Sequence, residues 1–355
     1  MNAQRRGPIF IVGAMGSGTT LLRLVLDSHP NIAIPQETGF MRAYNAHRFI
    51  PFKWSGRNWA KRLGWSRREL DEQMRVFYDT LFMRYVERHG KQRWGEKTPI
   101  HTFHVDAMAR LFPDAVFVGI SRHPGGNVAS NMNRWRLTLR RTIEHYDRYN
   151  REVVRQAAKH PDRFVLLRYE DLVLHPEPVL RELLEWLGEP WADEVLRHHV
   201  VQGSRKQKEM VEGRNRPDDP LDTSRIAKWT TSLDERARAT LRYDLGRLGE
   251  FLGYDVDDPH AFAPLAADGR HVATGAEVAA RVERFPDLDL RTAGPVPRFE
   301  QLYHPREWTL APVEEQSQVR RAGLVLVRAA AGPLFRLLPE AVRGRLRPLA
   351  RRVGG

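Results

Sequence analysis

The first segment of the chain whose residues could do chemistry is a glycine-rich loop near the N-terminus. The apolar run IFIVG leads through Gly13 and four further residues to Gly18, Thr19 and Thr20, and helical apolar spacing follows. Glycines let the backbone curl so that successive N–H groups converge on an anion, and a helix N-terminus adds the positive end of its dipole. The pattern predicts a phosphate cradle. The alternative is an ordinary glycine-rich turn between a strand and a helix.

One residue of this loop narrows the choice of nucleotide. Loops that serve ATP-dependent enzymes carry a lysine that reaches the β- and γ-phosphates, followed by Ser or Thr for magnesium. Thr19 occupies the lysine position here, and the apolar run AVFVGI ends in Ser121 and Arg122 rather than in an acidic magnesium ligand. A P-loop-type kinase or NTPase is therefore the less favoured alternative, and a nucleotide without a γ-phosphate to transfer is favoured.

A second anion site is predicted around Arg122, Ser130 and Arg134. Arg122 follows the run AVFVGI, and ligands of open α/β sheets bind at the carboxyl ends of strands. Ser130 and Arg134 are i, i+4 neighbours on the predicted helix that follows. Two guanidinium groups that flank a hydroxyl suit a dianionic phosphate. A surface arginine beside an unremarkable helical serine is the alternative interpretation.

Strands that alternate with helices must position these residues. The alternation predicts parallel βαβ units and an α/β fold with a P-loop-like parallel sheet flanked by helices. The predicted strands are 9–13, 115–120 and 164–167. The predicted helices are 19–28, much of 41–93, a helix from 124 on, 179–187, 191–200 and 233–252.

Composition excludes several classes of protein. The chain has 355 residues, of which 41% are hydrophobic and 28% charged, so a mostly disordered chain is excluded. It has no cysteine, which excludes disulfides, thiolate metal sites and a cysteine nucleophile. The longest apolar runs are far shorter than the roughly 20 residues that span a bilayer. We find no signal-peptide pattern, so a cytoplasmic location is expected.

The net charge of +13 suits an anionic ligand, a nucleic acid or an acidic membrane surface, although a solvated arginine-rich surface explains it equally well. Much of this charge lies in residues 316–355, which hold nine arginines and a single acid, Glu340. Nucleic acid is disfavoured because these arginines lack interleaved aromatic residues or a known binding motif.

Three segments are predicted from this charge distribution and from periodicity. Residues 1–257 form the α/β domain, 258–319 an irregular surface excursion or linker, and 320–355 a basic amphipathic helical tail. In the tail, Leu334, Leu338 and Val342 share a face opposite Arg336 and Arg343. Such a helix could lie on the inner face of a membrane, giving a membrane-surface binding protein with a degenerate nucleotide fold as a further alternative. Packing of the tail on the domain itself competes with this interpretation.

Six segments in order resemble sulfotransferases that use 3′-phosphoadenosine-5′-phosphosulfate (PAPS). They are PIFIVGAMGSGTTLLRLVLDSHP, GEKTP, ISRHPGGNVASNMNRW, LLRYEDLVLHPEPVLRELLEWLG, AKW at 227–229 and LGYD at 252–255. The resemblance spans residues 8–255, and its style, with QET at 36–38, is similar to that of tyrosylprotein sulfotransferase-like enzymes. It implies the sulfotransferase fold, PAPS as donor and no metal.

The resemblance also implies which residues bind the donor. Loop residues would hold the 5′-phosphate and the sulfate, Arg122, Ser130 and Arg134 the 3′-phosphate, and Tyr169 the nucleotide. Lys228 and Trp229 belong to the late nucleotide-binding segment. The full implied set is Gly16, Ser17, Gly18, Thr19, Thr20, Arg122, Ser130, Arg134, Tyr169, Lys228 and Trp229.

Two catalytic residues are implied in the same way. Glu37 matches the carboxylate that serves as general base, and Lys97 matches a lysine near the transferred sulfuryl group. The alternatives are a surface-loop glutamate at 37 and, for Lys97, a structural salt bridge to Glu96 or Asp106. Nothing in the spacing of the 14 histidines predicts a metal site; His101 and His104 are expected to pack or to form hydrogen bonds.

The acceptor is left open. The predicted reaction needs an acceptor hydroxyl, carried by a sugar, a lipid, a metabolite or a peptidyl tyrosine. Two departures weaken the tyrosine option: Gly16 stands where the tyrosylprotein enzymes have Arg, and Ala227 where they have Ser. A lid that excludes water is expected from 41–93 or 256–315.

Overall fold

The computed structural model describes residues 7–53, 64–205 and 220–290. The strands are β1 Ile9–Val12, β2 Ile32–Ala33, β3 Arg93–Lys97, β4 Val116–Ser121, β5 Phe164–Arg168 and β6 Ala273–Thr274. The helices are α1 Thr19–Asp27, α2 Phe40–Lys53, α3 Arg67–Arg88, α4 Val105–Leu111, α5 Pro124–Trp135, α6 Leu139–Lys159, α7 Tyr169–Leu174, α8 Pro176–Leu187, α9 His198–Arg205, α10 Trp229–Ser232, α11 Glu235–Phe251 and α12 Gly275–Glu283. Short 3-10 turns lie at Pro99–His104, Asp193–Val195 and Thr223–Arg225.

The described strands form one sheet in the order β2-β3-β1-β4-β5-β6. All neighbouring pairs are parallel except β5 and β6, which are antiparallel. The predicted α/β architecture is confirmed, and β1, β4 and β5 lie where the three strands were expected. Because β1 and β4 are parallel neighbours, the loops after them leave the same edge of the sheet.

Strand β3 was not predicted, because its sequence RWGEK has no apolar run. All five residues are nevertheless buried. Their charges are paired: Arg93 Nη1 donates to Glu189 Oε1 at 3.0 Å, and the two other charged residues also have the partners described below. Burial of charge is tolerated only with such partners, and residue periodicity does not reveal them.

The sheet separates two apolar cores because alternate strand residues point to opposite faces. Phe10 and Val12 face a core rich in aromatic residues that α2, α3 and α6 cover. Ile9 and Ile11 face an aliphatic core under α1 and α8. Tyr78 and Phe82 of the aromatic segment 41–93 pack in the first core, so these two rings serve the fold rather than an acceptor site.

The domain continues beyond residue 257. Residues 258–290, predicted as the start of a surface excursion, contribute β6 and α12. Thr274 caps α12 through a reciprocal pair of hydrogen bonds with Glu277, and Gly275 lies so close to Ala157 of α6 that a Cβ would approach its carbonyl oxygen to 2.6 Å. Within the described residues, the compact unit extends to residue 290. Two-residue strands carry too little periodicity to be found from sequence.

The basic tail 320–355 and the rest of the excursion lie outside the described residues, so the membrane hypothesis stays a prediction. Within the described ranges, no helix is long and apolar enough to cross a bilayer.

Candidate active site

The loop between β1 and α1 adopts a conformation that requires glycine. Gly16 and Gly18 have φ values of +81° and +92°, in the left-handed region. A Cβ on Gly18 would lie 2.6 Å from Cδ2 of Tyr169, and one on Gly16 would lie 3.0 Å from Nδ2 of Asn131. The loop therefore packs directly against α5 and α7, and α1 begins at Thr19 with its N-terminus at the cradle.

Two asparagines that sequence reasoning missed hold this loop. Asn127 donates to the carbonyl oxygen of Met15 and to the hydroxyl of Ser17, both at 2.9 Å. Asn131 donates to the same carbonyl oxygen at 2.8 Å and to Oδ1 of Asn127 at 2.9 Å. Both side chains are buried in α5. Their i, i+4 spacing on the helix of Ser130 was the available signal, but only the fold shows that this face meets the loop.

A cavity of about 300 Å³ lies beside the loop. Eight of the predicted donor-binding residues line it, drawn from three segments: Gly16, Gly18, Thr19, Thr20, Arg122, Ser130, Arg134 and Tyr169. The fold thus brings the predicted cradle and the predicted second anion site into one pocket. Ser17 does not line the cavity; it is fully buried, and its hydroxyl accepts the hydrogen bond from Asn127.

Arg122 is the most enclosed cation of this pocket. Its side chain is 9% exposed, and its two terminal nitrogens donate to the carbonyl oxygens of Gly16 and Arg225, each at 3.1 Å. Its Cζ lies 4.4 Å from the centre of the Tyr169 ring. Nε is buried and has no hydrogen-bond partner among the described residues. A buried cation with a donor left over suits an anionic ligand.

A buried polar cluster supports the segment that carries Arg122. The carboxylate of Glu170 accepts from the backbone N–H of His123 and from the hydroxyl of Tyr254, both at 3.0 Å. Tyr146 donates to the carbonyl oxygen of Arg122 at 2.9 Å. Burial raises the pKa of Glu170 and lowers that of His123 to about 4. The imidazole is therefore neutral near neutral pH, accepting from Gly125 through Nδ1 and facing the Asp255 carbonyl oxygen with Nε2.

The late segment reaches the pocket through other residues than those predicted. Asp222 and Arg225 line the cavity, whereas Lys228 and Trp229 do not. Trp229 is 2% exposed and stacks on His123 at 4.7 Å, so its position is structural, and Lys228 is exposed. Sequence reasoning missed Asp222, Arg225 and His198, which also lines the cavity. An arginine three residues before Lys228 was a weak signal, because the chain holds 57 basic residues.

The two predicted catalytic residues meet beside the same loop. Lys97, at the end of β3, is fully buried and forms an ion pair with Glu37, which follows β2. Nζ of Lys97 also donates to Oγ1 of Thr20 at 3.0 Å. Because Thr20 lines the cavity in the first turn of α1, the ion pair lies next to the place where the loop and helix N-terminus attract an anion.

The contacts of Glu37 and Lys97 differ from those expected if Glu37 were a surface-loop glutamate or if Lys97 paired with Glu96 or Asp106. Glu37 is only 24% exposed and is paired, so it is not a solvated surface glutamate. Glu96 is engaged by His101 at 2.7 Å and Asp106 by Lys159 at 2.8 Å, so Lys97 pairs with neither of the two acids proposed as its alternatives. His101 has the hydrogen-bonding role expected for it.

The ion pair has an aromatic neighbour on α6. Tyr149 is buried, and burial together with the negative charge of Glu37 raises the pKa of its hydroxyl. Its ring contacts Phe103 at 4.6 Å and His145 at 4.3 Å between ring centres. Within residues 7–53, 64–205 and 220–290, no group of three His, Cys, Asp or Glu side chains could hold a metal ion.

Comparison with known proteins finds relatives of this chain in sequence and in fold. A family model described as Sulfotransferase family matches residues 8–193. Protein-tyrosine sulfotransferase 1 of Danio rerio is 28% identical over 274 residues, covering 72% of this chain and 74% of the relative. Its Homo sapiens counterpart is 27% identical over 278 residues, covering 72% and 71%.

A solved structure agrees on the fold. The sulfotransferase domain from the curacin biosynthetic pathway aligns with a TM-score of 0.50 at 19% identity, covering 72% of this chain and 100% of that domain. Since the family model matches more than half of the 355 residues and the architecture agrees, the chain belongs to the sulfotransferase family.

Proposed function

We propose that this chain transfers a sulfuryl group from PAPS to an acceptor hydroxyl, with Glu37 as general base and Lys97 as the cation beside the transferred group. The observation that carries the proposal is the position of Lys97 Nζ. It contacts both the Glu37 carboxylate and Thr20 of the loop that would cradle the donor's 5′-phosphosulfate.

The pocket fits the donor in charge and in layout. Loop residues from Gly16 to Thr20 and the α1 N-terminus would hold the 5′-phosphosulfate. Arg122, Ser130 and Arg134, at the other predicted anion site of the same cavity, would hold the 3′-phosphate. The unpartnered Nε of Arg122 supports this assignment, because a buried guanidinium donor gains most from an anionic acceptor. Arg225 also lines the cavity, paired with Asp222 at 2.9 Å.

In the proposed reaction the bond between sulfur and the bridging phosphate oxygen breaks as the acceptor oxygen bonds to sulfur. The Glu37 carboxylate takes the proton of the acceptor hydroxyl, which makes that oxygen a better nucleophile. Lys97 and the loop N–H groups place fixed positive charge where negative charge develops, which is commonly a large catalytic contribution. 3′-Phosphoadenosine-5′-phosphate (PAP) leaves as the second product.

We propose that the acceptor group is a hydroxyl, and several classes of molecule could carry it. The names of the relatives favour a protein tyrosine as the first acceptor to test. Gly16 stands where the tyrosylprotein enzymes have arginine. Its φ of +81° and the nearby Asn131 side chain favour glycine at this position of the loop. Sugar, lipid and metabolite hydroxyls therefore stay in the screen beside a tyrosine peptide.

Calorimetric titration with PAP tests the donor, with 5′-AMP and ATP plus magnesium as comparison ligands. We expect PAP to bind much more tightly than 5′-AMP. The Arg122→Ala variant should bind PAP about 10- to 150-fold more weakly, because a charged hydrogen bond is worth about 1.5–3 kcal/mol. Arg236→Ala, which removes an exposed arginine from α11, is the matched control and should bind normally.

Two results would contradict the proposal. Preference for ATP with magnesium and none for the 3′-phosphate would favour the kinase alternative. Equal PAP affinity in the wild type and Arg122→Ala would show that the 3′-phosphate binds elsewhere.

A further inference from the structure

The strand that carries Lys97 also carries a buried carboxylate that the proposed mechanism does not use. Glu96 is 1% exposed and lies opposite Phe10 of β1 in the sheet register. Because consecutive strand residues point to opposite faces, Glu96 points away from Lys97, toward the aromatic core. A buried carboxylate is costly unless its oxygens accept hydrogen bonds, so its partners indicate why it is there.

Glu96 has four hydrogen-bond donors around it. Oε2 accepts from Nδ1 of His101 at 2.7 Å. Oε1 accepts from the Thr98 hydroxyl at 2.6 Å, the Thr38 hydroxyl at 2.9 Å and the Thr38 backbone N–H at 3.2 Å. Burial alone would raise the pKa of Glu96, but His101, Thr98 and Thr38 together hold it below its usual value, so the group is ionised near neutral pH.

Three bonds of this network fasten the loop that carries Glu37. Residues 37–39 belong to no helix or strand, so regular backbone hydrogen bonding does not fix them. Thr38 is held by its two bonds to Glu96, and the N–H of Gly39 donates to the Thr98 hydroxyl at 3.2 Å. The Thr38 hydroxyl also accepts from the N–H of Phe40 at 3.3 Å, where α2 begins.

We infer that Glu96 is a positioning residue: it clamps the 37–39 loop to the end of β3 and so fixes the Glu37 carboxylate beside Lys97. Glu37 and Lys97 then meet because two consecutive residues of one strand hold the same loop from both faces of the sheet. The inference rests on the proposed role of Glu37 as general base. A misplacement of about 1 Å in such a group can cost roughly 100-fold in rate.

A double-mutant cycle with Glu37 separates positioning from general support of the fold. Rates of sulfate transfer from radiolabelled PAPS would be measured with a tyrosine peptide as the acceptor probe, because a phenol with a pKa of about 10 needs a base to take its proton, and in parallel with water alone. We expect Glu96→Ala to lower kcat about 10- to 100-fold in the wild type, with PAP affinity changed less than about twofold. In the Glu37→Gln background, Glu96→Ala should lower kcat less than about threefold, because the carboxylate through which Glu96 acts is already absent.

Amide hydrogen exchange gives a readout that does not depend on activity. In Glu96→Ala, the N–H groups of Thr38 and Gly39 should exchange at least about tenfold faster, while those of β1 stay unchanged. Unchanged exchange at residues 37–40, or equal loss of kcat in both backgrounds, would overturn the inference. Normal activity of Glu37→Gln alone would instead overturn the proposed base, and the exchange result would still decide whether Glu96 clamps the loop.

A second pair of variants covers the case in which Glu96→Ala does not fold. Thr98→Val keeps the shape of the side chain but removes the hydroxyl that links Glu96 to Gly39, and Thr98→Ser keeps that hydroxyl. We expect about a tenfold lower kcat for Thr98→Val and most of the wild-type rate for Thr98→Ser, with circular dichroism confirming folding of both. Equal rates for the two variants would contradict the clamp.

Discussion

At the scale of single residues, a lysine of another strand reaches the glycine-rich loop, which has no lysine of its own. Thr19 stands at the position where ATP-type loops have lysine, yet Lys97 Nζ lies 3.0 Å from the hydroxyl of the next residue, Thr20. Lys97 is fully buried, and Glu37 is its charge partner. A buried ammonium beside the proposed cradle provides fixed positive charge next to the place where an anion would bind, which agrees with the proposed mechanism.

The Glu37→Gln variant tests the carboxylate without changing its shape. An amide cannot take the acceptor's proton, so we expect kcat to fall by roughly two to four orders of magnitude. PAP affinity should be kept, because Glu37 does not line the donor cavity. Steady-state transfer to the tyrosine-peptide probe measures the first effect and calorimetry the second. Glu87→Gln, at an exposed position of α3, is the matched control, and near-normal activity of Glu37→Gln would remove it from the base role.

At the scale of elements, the donor pocket depends on how α5 and α7 meet the loop. Asn127 and Asn131 of α5 bind the carbonyl oxygen of Met15, and Tyr169 at the start of α7 covers Gly18. Each of these contacts holds the curled backbone whose N–H groups are proposed to bind the phosphosulfate. The shape of the cradle is therefore a property of three elements together.

A single methyl group at Gly18 should disturb this cradle. An L-residue at a φ of +92° is strained by about 1–2 kcal/mol, and the new Cβ would force the Tyr169 ring to move. We expect Gly18→Ala to weaken PAP binding at least about tenfold in calorimetric titration. Gly246→Ala is the matched control: it lies within α11 with no atom within 4 Å of its Cβ position, so it should bind PAP normally and gain about 0.5–1 kcal/mol in stability. Unchanged PAP affinity in Gly18→Ala would show that the loop adapts.

At the scale of the whole molecule, buried histidines connect folding with pH. Burial lowers the pKa of His123 to about 4, and it also lowers that of His104 to about 4 and that of His145 to about 3. Between the ordinary histidine pKa of 6.5 and these values, the unfolded chain binds protons that the folded chain does not. The contribution of these histidines to the free energy of unfolding is therefore fully present above pH 6.5 and declines as the pH falls toward 4.

His123 should account for a measurable share of this decline. Its shift corresponds to roughly 3 kcal/mol lost by pH 4 and about 2 kcal/mol by pH 5. Denaturant unfolding at pH 7 and pH 5 should show a smaller difference for His123→Gln than for the wild type, because glutamine does not titrate. His260→Gln, at an exposed position, is the control and should keep the wild-type difference. Equal pH dependence in all three proteins would contradict the assignment.

The local sequence determined the elements whose signal lies in contiguous residues. The strand and glycine loop from Ile9 to Thr20 were predictable, because apolar runs and glycines report local conformation directly. So was the end of α8 at Gly188, which adopts φ +73°. Residues at fixed helical spacing, such as Ser130 and Arg134, were placed on one face correctly, and both line the cavity.

Tertiary structure decided what depends on residues distant in sequence. Strand β3 is buried despite its charges because Lys97 meets Glu37 sixty positions away, and no periodicity encodes such a pairing. For the same reason Arg225 lines the pocket, whereas Trp229 stacks on His123 and does not line it. The identity of each residue limits the chemistry it can perform, but only the packing of the sheet and its helices determines which residues meet, since burial and pairing are properties of the assembled core.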